Sequence, residues 1–232
     1  MNALVIGGTS GIGHALVQQL ATGGHSVFAC SRNEPDSPVD GVTYFTADVV
    51  KDGLPTDDLP QELHAVAYCP GTINLKPFQS LDIELFRKEY EINVLGAVQS
   101  LQAVLKPLKK AKGASVVLFS TVAATVGLPF HSSVAAAKSA VEGLSKSLAA
   151  ELAKNKVRVN CVAPSITDTR LATDLLKSDK QRENSAKRHP LSRVGQPEDM
   201  ARAAYFLLNP ENDWITGQTI HVDGGMSSLR PL

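Results

Sequence analysis

The chain has 232 residues, with 23 basic and 23 acidic side chains, and so carries no formal net charge at pH 7 when its histidines are neutral. That balance leaves no electrostatic footprint for nucleic acid or an anionic membrane surface. The length suffices for a sizeable core and nothing reads as an interdomain linker, so a single domain over residues 1–232 is expected. Cys30, Cys69 and Cys161 are odd in number, widely spaced and set in apolar runs, with no metal-ligand or Cys-x-x-Cys spacing, and read as buried reduced thiols. Strand-like sequence from Ala3 leaves no room for a signal peptide, and no apolar run reaches membrane-spanning length. A cytoplasmic protein without a membrane partner is expected.

Ala3 to Ile6 form a short apolar strand, after which Gly7, Gly11 and Gly13 permit a tight turn before helix resumes at His14. A turn without Cβ atoms lets a diphosphate approach the first free N–H groups of a helix, so this stretch reads as a phosphate cradle. Its G-x-x-x-G-x-G spacing differs from the G-x-G-x-x-G fingerprint, and a ligand-free turn is the competing reading. Further apolar runs follow at 26–30, 42–46, 65–69, 115–119, 157–163 and 219–222. Each is continuously apolar, as strands covered on both faces are, and strand alternates with helix. The expected fold is therefore α/β: a doubly wound, seven-stranded parallel sheet. Residues 31–41 and 51–64 contain two prolines each and cannot hold full helices, whereas 81–105 and 134–154 are long and periodic, with Ser80 as an N-cap for the first.

After the second strand stand Ser31, Arg32 and Asn33, with no acid before Glu34. An acid there suits the ribose of NAD, whereas a base suits the additional phosphate of NADP, which Arg32 can pair and Ser31 can hydrogen-bond. Asp48, beside Val49, reads either as an acceptor for the adenine amine or as a turn residue. Asn93 interrupts an apolar helical stretch at a cost of about 0.5 kcal/mol relative to Ala. Either water bound at a distorted turn or a local polar contact would compensate. Lys138 lies on the apolar stripe of Val134, Val141, Leu148 and Leu152, and is either buried with a partner or snorkelling. Ser120 and Thr121 place hydroxyls at the C-terminal end of the fifth strand, where open α/β sheets bind ligands.

Together these pieces resemble a short-chain dehydrogenase/reductase. The resemblance runs through the glycine turn at 7–13, Asn93 with Gly96, the 118–150 block, Arg158-Val159-Asn160 to Pro164, the 190–199 block and the stretches 214–217 and 222–225. It implies a Rossmann-type sheet, a nicotinamide cofactor, a small carbonyl or alcohol substrate and a homodimer or homotetramer built on helices 81–105 and 134–154. The family uses Ser to orient the carbonyl, Tyr as general acid/base, Lys on the nicotinamide ribose and Asn to hold a relay water. By position, Asn93 and Lys138 match, and Thr121 with Ser120 beside it takes the serine slot. The tyrosine slot, four before Lys138, holds Val134, and no tyrosine occurs in 91–204. His131 is the nearest titratable substitute, with a lining or capping role as the competing reading.

Other departures are Ile6 for a threonine before the first glycine, Tyr68-Cys69-Pro70-Gly71 for Asn-Asn-Ala-Gly, and Ser165 for a glycine. The resulting cofactor-binding set is Gly7, Thr9, Ser10, Gly11, Ile12 and Gly13 at the turn; Ser31, Arg32, Asn33, Asp48 and Val49 at the adenosine; and Gly71, Lys138, Pro164, Thr167 and Thr169 towards the nicotinamide. Residues 170–190 stand where the family carries its substrate lid. The expected activity is NADP(H)-dependent hydride exchange with a carbonyl or alcohol. Val134 keeps open an alternative, a catalytically impaired NADP(H)-binding protein that acts as a redox sensor or partner subunit.

Overall fold

The computed structural model describes residues 1–230. Seven parallel strands form one sheet: β1 (Asn2–Ile6), β2 (Ser26–Ser31), β3 (Val42–Thr46), β4 (Ala65–Tyr68), β5 (Ser115–Phe119), β6 (Arg158–Pro164) and β7 (Thr219–Val222), in the spatial order β3-β2-β1-β4-β5-β6-β7. This is the doubly wound Rossmann-type sheet expected from the apolar runs. Chain order reverses between β1 and β4, so the carboxyl ends of those strands diverge into the crevice where such sheets take ligands.

Strand residues alternate between two apolar layers. Leu4, Ile6, Val66, Tyr68, Val116 and Leu118 pack beneath α3 (Gly96–Ala103) and α5 (Ser132–Leu152). Ala3, Val5, Ala65, Ala67, Val117 and Phe119 pack beneath α1 (Gly11–Thr22) and α7 (Pro197–Leu208). Two covered faces explain why the strands read as unbroken hydrophobic runs. Arg158 and Asn160, part of the family-like block, serve this frame. Their side chains donate to the carbonyls of Leu207, Asn209 and Ile215, which ties β6 to the end of α7.

No helix covers residues 31–41 or 51–64. The segment expected as one helix over 81–105 is broken. It comprises α2 (Ile83–Tyr90), a π-helical turn over Glu91–Leu95, and α3, with α4 (Leu105–Lys110) following. Asp82, not Ser80, caps α2: its carboxylate accepts from the Leu85 N–H at 2.7 Å, while Ser80 closes a preceding 3-10 turn. An acid at the N-cap also complements the helix dipole. The expected lid segment holds a 3-10 stretch, Arg170–Leu175, and α6 (Asp179–Ala186). Among the described residues no helix is long and apolar enough to cross a membrane.

Candidate active site

The glycine turn leaves β1 with Gly7 at φ +79° and Gly11 at φ +53°, both in the region that L side chains avoid. A Cβ on Gly13 would lie 2.1 Å from the Gly7 carbonyl oxygen, so strand and helix meet this closely only because that Cβ is missing. No side chain caps the N-terminus of α1 at Ser10. Its first N–H groups thus remain open to an anion. Gly11 faces Thr169, whose Cγ2 would stand 3.2 Å from an added Cβ. The turn is a cradle that side chains would fill, and it fits a dinucleotide diphosphate.

Around the turn, the Thr9 N–H donates to Ser31 Oγ at 3.3 Å, joining the glycine loop to the end of β2. Arg32 and Asn33 are exposed beside it, and among the described residues Arg32 makes no ion pair. Asp48 Oδ1 accepts from the Val50 N–H at 3.1 Å, an Asx-type turn, and Val49 is buried next to it. Thr167 Oγ1 donates to the Ser165 carbonyl, and Thr169 Oγ1 lies 3.4 Å from the Thr167 carbonyl. The loop after β6 is thereby folded back towards Gly11.

Lys138 is buried and donates from Nζ to the Phe119 carbonyl at 2.7 Å, at the end of β5. The snorkelling alternative is thus excluded. Burial lowers its pKa to about 8, against raising influences from Cys161, Glu89 and Cys69. Those two thiols are themselves pushed up by burial, Cys161 to about 11 and Cys69 to about 12, and stay neutral at pH 7. Glu89 is the one carboxyl group among these three influences on the lysine.

Asn93 sits within the π-helical turn, buried, with Nδ2 donating to the Glu89 carbonyl at 2.7 Å, one turn earlier. π-turns mark helices distorted at functional positions, and this one presents the Asn93 amide. Asn93 Oδ1 has no hydrogen-bond partner among the described residues. A Cβ on Gly71 would stand 3.4 Å from that oxygen and 3.5 Å from Lys138 Nζ. Gly71, Asn93 and Lys138 thus share one small polar recess.

The two hydroxyls diverge. Ser120 Oγ donates to Glu142 Oε1 on α5 at 2.6 Å and is buried, so the expectation that it meets a substrate is corrected: a carboxylate on the neighbouring helix takes it. Thr121 Oγ1 accepts from the Ala123 N–H and lies 3.4 Å from the Pro164 carbonyl, at the sheet's carboxyl edge. Val134 is buried, one turn before Lys138 on α5. His131 Nδ1 pairs with the Pro129 carbonyl at 2.7 Å, which leaves Nε2 as the nitrogen available for proton exchange.

Reading the sequence missed Glu89, Thr72 and Asn74. Glu89 is wholly buried; Thr72 Oγ1 donates to its Oε2, Asn74 Nδ2 to its Oε1 at 2.9 Å, and Asn93 Nδ2 to its Oε2 at 3.1 Å. The signal was available in the spacing, since Glu89 precedes Asn93 by four and shares its helix face.

The family model described as enoyl-(acyl carrier protein) reductase matches residues 7–227. The chain belongs to the short-chain dehydrogenase/reductase family. A tropinone reductase homolog of Arabidopsis thaliana is 36% identical over 242 residues, covering 97% of this chain and 91% of the relative. A 3-oxoacyl-[acyl-carrier-protein] reductase of Chlamydia muridarum is 31% identical over 241 residues, covering 97% and 96%. Among solved structures, a short chain dehydrogenase family protein from Francisella tularensis superposes with a TM-score of 0.90 at 28% identity, over 98% of this chain and 99% of that one. A variant of ElxO with NADPH bound gives 0.86 at 25% identity, over 98% and 99%. The short-chain dehydrogenase/reductases are oxidoreductases that use nicotinamide cofactors on small molecules, and the glycine cradle and the Lys138–Asn93 recess are the parts of this chain suited to that chemistry.

Proposed function

We propose that this short-chain dehydrogenase/reductase exchanges hydride between NADP(H) and a small carbonyl or alcohol. The observation that carries the reading is the recess of Gly71, Asn93 and Lys138, kept as a built polar site although Val134 occupies the tyrosine slot. When bound, the nicotinamide supplies or removes the hydride. The chain's own residues hold and orient: the Gly7–Gly13 turn and α1 take the diphosphate, Arg32 and Ser31 the 2′-phosphate, Lys138 the ribose and Thr121 the carbonyl oxygen. His131, through Nε2, and Lys138 are the titratable groups for the proton. General acid/base assistance is worth about 10²–10⁴ in rate, so its reassignment slows the reaction without removing what positioning contributes. Residues 170–190 act as the lid that excludes water. The relative with NADPH bound supports the choice of cofactor.

Exposed Ile83, Tyr90 and Leu95 on α2 and the π-helical turn support self-association through that face and α5. A sedimentation profile showing monomer alone at micromolar concentration would remove that part of the reading. The central test is NADPH oxidation across a panel of aldehydes, ketones and quinones by protein already shown to bind NADPH. Turnover is expected, and binding without any turnover refutes the reductase assignment. Burial of Val134 favours a second reading, a nucleotide-binding protein without catalysis. That reading gains if Val134→Tyr creates carbonyl reduction while His131→Ala changes nothing.

A further inference from the structure

Glu89 is the one wholly buried carboxylate among the described residues, and burying an acid is costly unless it is paired and hydrogen-bonded. Its surroundings meet both conditions. Thr72, Asn74 and Asn93 aim three donors at its two oxygens, and the lysine that its charge stabilises is Lys138. Asn93 is shared: its Nδ2 is held by Thr72 and by the carboxylate and backbone carbonyl of Glu89, which turns Oδ1 into the recess that Lys138 Nζ also faces. The fixed amide therefore links the buried acid to the buried base.

Resting on the hydride-transfer reading above, we infer that Lys138 is itself the proton donor of this tyrosine-less site, and that Glu89 is the positioning residue that keeps it charged and holds Asn93 towards it. With valine one turn before the lysine, no phenol ring stands between the ammonium and the mouth of the site. In carbonyl reduction, a bound reduced nicotinamide would supply the hydride pair for the new C–H bond, and the C=O π pair would become a lone pair on oxygen. Lys138 gives that oxygen a proton, directly or across one solvent molecule beside Gly71, and the neutral amine regains a proton from solvent. Alcohol oxidation runs the same steps backwards. Three groups act electrostatically on Lys138: Glu89 from α2, Cys69 after β4 and Cys161 on β6, and burial keeps the two thiols neutral at pH 7.

The test uses full-length protein with ¹⁵N-labelled lysine and follows the Lys138 side-chain signal against pH without cofactor, assigned through Lys138→Arg. In parallel, NADPH affinity and the kcat and KM for an α-diketone and a quinone are measured. Glu89→Gln should lower the Lys138 midpoint by roughly half a pH unit or more and reduce kcat about tenfold or more, with NADPH affinity and KM little changed. Glu89→Asp should recover part of both. Thr72→Val, which removes one donor without touching the charge, should shift the midpoint less than Glu89→Gln does. An unmoved Lys138 midpoint in Glu89→Gln overturns the inference, as does full kcat in that variant combined with its loss in His131→Ala. If wild-type protein reduces neither probe yet Glu89→Gln still shifts the lysine, the Glu89–Lys138 coupling stands and the hydride-transfer reading is the part that falls.

Discussion

The hydroxyl of Tyr68 donates to the carbonyl of Ile92 at 2.6 Å, and it can do so because Gly96 has no side chain. A Cβ on Gly96 would lie 2.2 Å from that hydroxyl oxygen. Tyr68 stands where the family has an asparagine. Here it braces the π-helical turn that carries Asn93, so a departure in the sequence becomes a support for the recess. Desolvation raises the phenol's pKa, keeping it a donor at all ordinary pH.

Tyr68→Phe should therefore cost about 1–3 kcal/mol, the usual penalty for leaving a buried acceptor unpaired. Gly96→Ala should cost more despite alanine's better helix propensity, because the new methyl group meets the hydroxyl. Combined in one chain, the two should destabilise less than their sum, since the phenylalanine ring removes the clashing oxygen. Urea denaturation of the two single variants and the double variant measures this directly, and strict additivity would contradict the contact.

Gly13→Ala tests the phosphate cradle. The added methyl would press on the Gly7 carbonyl, and the turn has to open to admit it. NADPH binding, followed by fluorescence titration, should be lost or weakened at least about tenfold, whereas Gly24→Ala, in open space at φ +74°, should affect stability but not the nucleotide.

The proposed preference for NADP(H) rests on Arg32. Arg32→Ala should weaken NADPH about tenfold to a hundredfold, the worth of a hydrogen bond to a charged group, while leaving NADH affinity nearly unchanged. Equal losses for both nucleotides would show that Arg32 does not read the 2′-phosphate.

Lys138 sets the expected pH dependence. Its pKa is lowered to about 8, chiefly by burial, so carbonyl reduction with the Lys138 ammonium as the proposed proton donor should be level below pH 8 and fall above it. Alcohol oxidation should rise through the same range. Stability carries a related signature. The folded value lies below the ordinary lysine value of 10.5, so between the two the unfolded chain binds the extra proton and stability increases with pH. The buried thiols, whose pKa burial raises from 9, act in the opposite sense above pH 9, so the lysine contribution is read as a difference: the urea midpoint of the wild type minus that of Lys138→Met should rise from pH 7 to 10.5.

Much of this molecule could be read from the order of its residues. Parallel strands buried on both faces must be continuously apolar, so the sheet was visible as seven runs. The glycine turn was visible because glycine is the residue suited to φ +79° at Gly7 and to the close approach at Gly13. Lys138 was conspicuous as a charge on an apolar stripe, and Asn93 as a poor helix former among good ones. What folding alone decided is where the polar atoms point. Side-chain direction depends on partners brought from distant positions, as when Glu142 takes the Ser120 hydroxyl away from the cleft, and when Thr72 and Asn74 converge on Glu89 from a loop seventeen and fifteen residues earlier. A buried acid looks like any surface glutamate until the packing encloses it, because its neighbours along the helix, Lys88 and Tyr90, are exposed.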